Sequence, residues 1–314
     1  MSGADQDASG ADRPRRVGLA TAKDAWSHDE DAQVLGAALD ALGVPYQPAI
    51  WDGPDVDWAG FDLVVVRSTW DYTARRDQFL AWAERVESVT RLANPAAVLR
   101  WNTDKRYLGE LAAAGVRVVP TTYLLAEEHE ERGTPVDPFG LSDHEGDLVV
   151  KPTVSAGSQD TARYTPAQAA AASAHARALL DAGRDVMVQP YLRRVDEVGE
   201  TGMVVLDGEL SHGFAKAALL RAGAADVEGM FAPEQITPRV PGPDEVELAH
   251  RVLDVATGIL GVDRLLYARV DVLPDDDGRP TLLELELTEP SWFLEQSPGA
   301  AERAAACILA AAST

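Results

Sequence analysis

The sequence predicts an α/β protein that begins with a parallel-sheet domain and continues into a region of strand hairpins and helices. Three observations carry that prediction. Short apolar segments alternate with amphipathic helical ones over roughly residues 16–100, the pattern of successive βαβ units. Asp207-Gly208 separates two strand-like runs, the signature of a tight hairpin turn. Finally, Tyr267–Pro290 (YARVDVLPDDDGRPTLLELELTEP) reads as two strands joined by a turn, with acids inside otherwise apolar runs.

In chain order, Val17–Thr21 is a short apolar strand, and acidic Asp29–Asp31 starts a helix through Leu35, Ala38, Leu39 and Leu42 that Gly43 ends. Val44–Trp51 is extended, and Pro45 and Pro48 place it at a sheet edge. Phe61–Ser68 is a nearly continuous apolar run of buried-strand type. The helix after it carries Phe79, Leu80, Trp82, Ala83 and Val86. Asn94-Pro95 opens another helix, and Asn102-Thr103-Asp104 caps the next, which bears Lys105 and ends at Gly115. Val116–Val119 reads as a strand stopped by Pro120, and 126–146 as an acidic surface loop. Asp147–Pro152 (DLVVKP) is a strand ending in a lysine, followed by the small-residue loop Thr153–Thr161. Thr165-Pro166 is a strong helix start; that helix runs to Gly183, and Asp185–Gln189 is the next strand. Met203–Leu206 and Glu209–Lys216 flank the Asp-Gly turn. The stretch 221–241 has no period and reads as a mobile loop, Pro243–Leu260 is a clear amphipathic helix, and a final helix starts near Ala300.

Bulk properties narrow the function classes. A chain of 314 residues, 46% hydrophobic and 25% charged, fills one large domain or two to three small ones. With 51 acidic against 28 basic residues the formal net charge is −23, which disfavours nonspecific binding to nucleic acid or an anionic membrane. The single cysteine, Cys307, makes no intrachain disulfide and reads as a buried, inert thiol. No run of 18 apolar residues occurs, so no spanning helix is expected. The first 16 residues are polar, end in Arg13, Arg15 and Arg16, and read as a disordered tail rather than a signal peptide.

The chemistry concentrates in the acidic hairpin. Tyr267, Arg269 and Asp271 share one strand face, and Glu284 and Glu286 share another. Antiparallel pairing would converge three carboxylates and a guanidinium on a small area, where hard oxygen ligands suit Mg²⁺; the alternative is a solvated sheet face. Lys151, at a strand end beside a Ser/Gly loop, suits a phosphate, although singly it and Lys105 also read as surface lysines. That loop is not a Walker A motif, and Gly18 begins no dinucleotide fingerprint. RSTWDY, at the carboxyl end of a parallel strand where ligands bind, offers Arg67, Ser68, Trp70 and Tyr72 to a small polar substrate. In the alternative, Trp70 packs the strand end and Arg67 pairs with Asp71.

The order of parts is more specific than any one of them. A helix lysine, a strand lysine with its loop, VQPYL, the DGE hairpin, ARVD and LELEL follow one another. This order resembles the ATP-grasp superfamily, most closely the glutathione-synthetase-like carboxylate–amine ligases, over roughly residues 17–305. RSTWDY and NTDKRYL are also similar to segments of the ATP-grasp cyclo-ligase group of cycloserine biosynthesis. The resemblance implies an N-terminal substrate-side domain (17–100) after the tail (1–16), then two α+β subdomains, 101–190 and 191–314, that sandwich ATP. It assigns Lys105 and Lys151 to the nucleotide phosphates, Ser155, Gly157 and Ser158 to the covering loop, and Gln189, Tyr191 and Leu192 to the adenine linker. Glu200, with Glu197 second, would hold the ribose. Asp271, Glu284 and Glu286 would hold two Mg²⁺ ions, Glu286 standing where Asn is usual, and Arg269 would contact the transferred phosphate. Thr288, Glu289 and Ser291 replace the small residues that usually follow.

The implied reaction activates a small-molecule carboxylate as an acylphosphate, which an amine then attacks. Lys216 shares a strand face with His212 and either reaches the phosphoryl group or is solvated; His212 is either a general base or structural. Three alternatives remain: an intramolecular cyclo-ligase of a modified amino acid, a non-catalytic nucleotide-binding module, and an interaction protein with an acidic surface. The expected partners are a carboxylate and an amine, with no nucleic acid or membrane, in the cytoplasm, and a homodimer is compatible with the chain.

Overall fold

The computed structural model describes residues 15–132, 145–218 and 235–314. Strands β1 (Val17–Thr21), β2 (Tyr46–Ile50), β3 (Leu63–Val66) and β4 (Arg91–Ala93) form an all-parallel sheet ordered β2-β1-β3-β4. The proline-bearing strand is an edge, as expected. Both faces of β3 are covered, which explains its unbroken run of apolar residues. Leu63 and Val65 pack towards α1 (Ala32–Ala41) and the C-terminal α9 (Ala300–Ser313), through Leu35, Leu39, Ala304 and Ile308. Val64 and Val66 pack towards α2 (Arg76–Glu87), through Phe79, Leu80, Trp82 and Val86. The last helix therefore returns to the first domain. Arg91 at the sheet edge donates to the Ala311 and Ala312 carbonyls, both at 2.7 Å, supplying a cation where the helix dipole is negative.

α3 (Ala96–Asn102) leads to α4 (Tyr107–Ala113). Lys105 lies in the turn between them rather than on a helix, its backbone N–H donating to the Thr153 carbonyl at 2.8 Å. The middle sheet is antiparallel, ordered β5-β8-β6-β7, from β5 (Thr122–Leu124), β6 (Leu148–Pro152), β7 (Ala162–Tyr164) and β8 (Val186–Pro190). Helix α6 (Ala169–Asp181) covers one face with Ala172, Ala176, Leu179 and Leu180. Its start matches expectation: Thr165 and Gln168 form a capping box ahead of it. One expectation needs correction here: residues Ala126–Arg132 of the acidic loop are helical (α5). Strand β7 had no sequence expectation. The remainder of that loop, 133–144, lies outside the described residues, as do residues 1–14 of the tail and 219–234 of the stretch expected to be mobile.

The third sheet is antiparallel, ordered β11-β10-β9-β12-β13, from β9 (Glu200–Leu206), β10 (Glu209–Lys216), β11 (Ile236–Arg239), β12 (Tyr267–Pro274) and β13 (Pro280–Glu286). Positive φ at Asp207 (52°) and Gly208 (85°) gives the expected tight turn between β9 and β10. Helix α8 (Pro243–Leu260) presses Ala249, Val252 and Ala256 on one face, against Met203, Val205, Ala268, Val270 and Val272. Tyr267, Arg269 and Asp271 therefore face the other way, towards the middle sheet and the N-terminal domain. Val116–Val119 is not a strand of its own; it makes a single bridge, Val118 to Leu282, on the outer edge of β13.

Gly202 of β9 sits opposite Phe214 of β10, and a Cβ there would collide with the Phe214 ring. Phe214 in turn stacks edgewise on Phe293 at 4.6 Å between centroids. Gly202→Ala is expected to lower unfolding free energy by about 1–3 kcal/mol, as overpacked cores do. Chemical denaturation checks this, and Phe214→Leu in the same chain should recover part of the loss.

Candidate active site

The hairpin β12/β13 pairs antiparallel, with Arg269 opposite Glu286 and Asp271 opposite Glu284. A bulge after Asp271 inserts Leu283, so it lines the cavity rather than keeping strict alternation. The convergence expected from the sequence is present. Arg269 donates from Nε to Asp271 Oδ1 at 3.0 Å and from NH2 to Asp271 Oδ2 at 2.7 Å, and it also engages Glu286. Lys216 reaches Asp271 Oδ2 at 2.9 Å and Glu200 at 2.8 Å. Lys105 reaches Glu284 at 3.2 Å and the Ser155 carbonyl at 2.7 Å.

All of these groups except Asp271, which is 1% exposed beneath Arg269 and Lys216, border a cavity of about 460 Å³ between the middle and third sheets. Of the residues expected from the sequence, Lys105, Lys151, Ser155, Gly157, Ser158, Gln189, Tyr191, Leu192, Glu200, Lys216, Arg269, Glu284, Glu286, Trp70 and Tyr72 line it. Val119, Val149, Val195 and Leu273 add an apolar wall beside Tyr191 and Leu192. The loop over Lys151 turns through left-handed Gly157 (φ 61°), Ser158 (φ 60°) and Asp160 (φ 53°). Only the glycine adopts that conformation freely.

Besides Asp271, four expected residues are placed off the cavity lining. Glu197 is exposed on the short helix α7 (Val195–Val198), away from the cavity. His212 is buried, its Nε2 2.7 Å from the Trp292 carbonyl, and burial pushes its pKa down; it is structural. Arg67 and Ser68 are fully buried and do not line the cavity. Ser68 Oγ pairs with Thr21 Oγ1 at 2.8 Å, and Arg67 is held by Asp29 and Asp31 rather than by Asp71, which pairs with Arg75.

The site also contains residues to which sequence reasoning assigned no site role: Glu289 and Ser291, noted only as departures after the acidic strand, Asn102, noted only as a helix cap, and His28, Glu30 and Phe293 all line it. Their common signal is position just beyond a strand or helix end, too irregular to register as periodicity.

Charge balance divides the acids into two groups. Burial alone would raise Asp271, but Arg269 and Lys216 outweigh it and hold the group well below the usual carboxylate range. Burial likewise opposes Lys105 and Lys151 at Glu284, and the lysines prevail. Glu200 and Glu286 are pushed up to about 7 by burial, which Lys216 and Arg269 respectively offset only in part. Glu289 is pushed up to about 8 by burial and by neighbouring Glu286, although the Tyr72 hydroxyl donates to it. Among the described residues no three carboxylates stand as a preformed metal cage. The donor set nevertheless fits Mg²⁺: oxygen-only carboxylates on paired strands, more of them than the adjacent cations offset.

The N-terminal residues 17–94 match the family model for the D-cycloserine synthetase DcsG N-terminal domain. The cycloserine biosynthesis protein DcsG of Streptomyces lavendulae is 37% identical over 282 residues, 89% of this chain and 93% of that protein. A crystal structure of D-cycloserine synthetase DcsG superposes with TM-score 0.84 at 34% identity, covering 94% of this chain and 99% of the other. Two more distant structures share the fold. D-alanine–D-alanine ligase from Bacillus anthracis complexed with ATP has TM-score 0.66 at 15% identity, over 95% of this chain and 97% of that one. A RimK-domain ATP-grasp protein from Sphaerobacter thermophilus has TM-score 0.62 at 19% identity, over 94% and 98%.

Glu289 yields a pH prediction. An unfolded glutamate titrates near about 4.3, whereas the folded one holds its proton to about 8. Between those values the folded chain binds the extra proton, so raising the pH lowers its stability. The melting temperature of ligand-free Glu289→Gln should therefore gain on wild type as pH rises from 5 to 8. A melting-temperature difference that stays flat across that window would contradict the assignment.

Proposed function

The chain belongs to the family of the D-cycloserine synthetase DcsG, with the ATP-grasp fold, and we propose that it is an ATP-dependent ligase joining a small-molecule carboxylate to an amine. One observation carries the reading. Two buried lysines on the middle-sheet side and a carboxylate–guanidinium cluster on the third sheet face one another across a single cavity. Such a site binds a polyphosphate at one end and stabilises charge on a transferring phosphoryl group at the other.

In this reading, Lys105 and Lys151 hold the nucleotide phosphates under the Ser155–Ser158 turn. The apolar wall of Val119, Val149 and Leu273 takes the base beside Tyr191 and Leu192, and Glu200 takes the ribose. Asp271, Glu284 and Glu286 hold Mg²⁺, which when bound neutralises phosphate charge. Arg269 and Lys216 orient the γ-phosphoryl group for attack by the substrate carboxylate, giving an acylphosphate and ADP. The amine then displaces phosphate. The protein's contribution is positioning and fixed charge rather than covalent chemistry. Glu289, Tyr72, Trp70 and Ser291 border the carboxylate and amine end.

The amine belongs to the same molecule as the carboxylate in a second, finer reading: closure of a ring on a modified amino acid. It is favoured by the match of residues 17–94 to the N-terminal domain of a D-cycloserine synthetase and by similarity along 93% of that relative. No described helix is long and apolar enough to cross a membrane, and the reading places the enzyme in the cytoplasm with its ATP supply.

Incubation with Mg-ATP, hydroxylamine and a panel of amino-acid carboxylates should give a hydroxamate from the acid that becomes the acylphosphate. Without hydroxylamine, ring closure gives product at substrate mass minus water, whereas ligation needs a second component. Asp271→Asn and Glu284→Gln should each cut substrate-dependent ADP release by at least about 10²-fold with circular dichroism unchanged. Wild-type turnover in both would end the assignment of these acids.

A further inference from the structure

Arg67 is 1% exposed, lies off the cavity, and has no hydrogen-bond partner at Nε. Its NH2 group donates to Asp31 at 3.0 Å and to both Asp29 oxygens at 3.4 Å, and NH1 donates to the Pro290 carbonyl at 3.2 Å. The guanidinium lies 3.9 Å from the Trp292 ring centroid. Asp31 in turn accepts the backbone N–H groups of Trp292 (2.6 Å) and Leu294 (2.8 Å). The segment between them contains Phe293 in a left-handed conformation (φ 49°, ψ 50°), and Glu289, Ser291 and Phe293 all face the cavity.

We propose that Arg67, Asp29 and Asp31 form a positioning cluster through which the N-terminal domain sets residues 288–294, and with them the carboxylate and amine subsite. The proposal rests on the ligase reading above. A buried ion cluster is weak evidence for stability, because apolar side chains of similar volume often hold a core as well. What apolar side chains cannot supply is acceptors for two backbone N–H groups and a donor for a carbonyl at fixed places along one irregular segment. The cluster reaches that segment from β3 and the start of α1, more than 200 residues away in the chain. The nucleotide lysines have separate anchors: Lys105 through Thr153 and Ser155, and Lys151 on β6. The cluster therefore acts directly on one end of the cavity, and its link towards the other is the Arg269 bond to the Ser291 carbonyl at 3.2 Å.

Arg67→Lys keeps the charge but loses the planar fork and its stacking on Trp292. It should raise the substrate KM for ADP release, or lower kcat/KM, by about 10- to 100-fold, the effect of a displacement near 1 Å. Affinity for a non-hydrolysable ATP analogue should stay within about twofold, as for distant sites. Amide hydrogen exchange over 288–294 should accelerate, while the peptide containing Lys151 stays unchanged. Asp29→Asn, which removes the charge behind the 3.4 Å contacts to Arg67 and retains an oxygen for the Asp31 N–H, should give a smaller version and serves if Arg67→Lys does not fold. Unchanged exchange and KM overturn the proposal, as does an analogue affinity that falls in step with them. Wild-type enzyme that releases no ADP with any acid would instead overturn the ligase reading and is measured first.

Discussion

The constraint behind this architecture is electrostatic: two paired strands crowd one buried and two half-buried carboxylates into a place that will not hold them alone. A shielded carboxylate is tolerated only when a cation or proton accompanies it. The cations come from separate parts of the chain: Lys105 from the turn before α4, Lys151 from β6, Lys216 from β10 and Arg269 from β12 itself. Their meeting point exists only when the middle and third sheets are docked. Even then the offset is incomplete, and Glu200, Glu286 and Glu289 keep raised pKa values. The site is thus short of positive charge and suits a ligand that brings a cation with it.

The same docking solves an edge problem. β13 ends its sheet, and its outer backbone groups would otherwise stand unpaired. At Leu282 the backbone of Arg117 and Val119 takes them, and further along side chains do. The Tyr107 hydroxyl donates to the Leu285 carbonyl at 2.8 Å and accepts from the Leu285 N–H at 2.9 Å. Asn102 donates to the Leu285 carbonyl and accepts from the Leu287 N–H, both at 2.7 Å. Asn94 donates to the Tyr267 and Leu287 carbonyls. A strand that must present Glu284 and Glu286 on one face is thereby held along its free edge without another strand, which leaves the cavity side open.

What the sequence made legible follows from where its signals are regular. The parallel sheet, the Asp-Gly hairpin, helix α8 and the acid register of β12 against β13 all rest on periods of 2 or 3.6 and on turn chemistry, and all are present. Lys151, Ser155 and Gln189 were readable because they sit at strand ends within an ordered series of motifs. Glu289 and Ser291 had no such support: they lie in an irregular segment whose path is set by a backbone hydrogen bond to Asp31 and by hydrogen bonds donated from Trp70 and Arg269. Arg67 was misread for a related reason. An arginine at the carboxyl end of a parallel strand suits a ligand, and only the acids of the next-door loop, Asp29 and Asp31, show that it is already taken.

The two ends of the cavity therefore differ in how they are built, and the difference has a physical consequence. The lysine end is made of strands and a turn, with Lys151 fixed in the β6–β8 ladder and Lys105 held from the turn by the Thr153 and Ser155 carbonyls. The other end is a loop wedged between Trp70, Tyr72 and the buried Arg67 cluster, acidic where the first is cationic. Loops carried on a rigid frame change shape at less cost to the core than strands do. The N-terminal domain thus bears on that end through the irregular segment that Asp31, Arg67 and Trp70 hold, whereas the lysine end rests on the middle sheet.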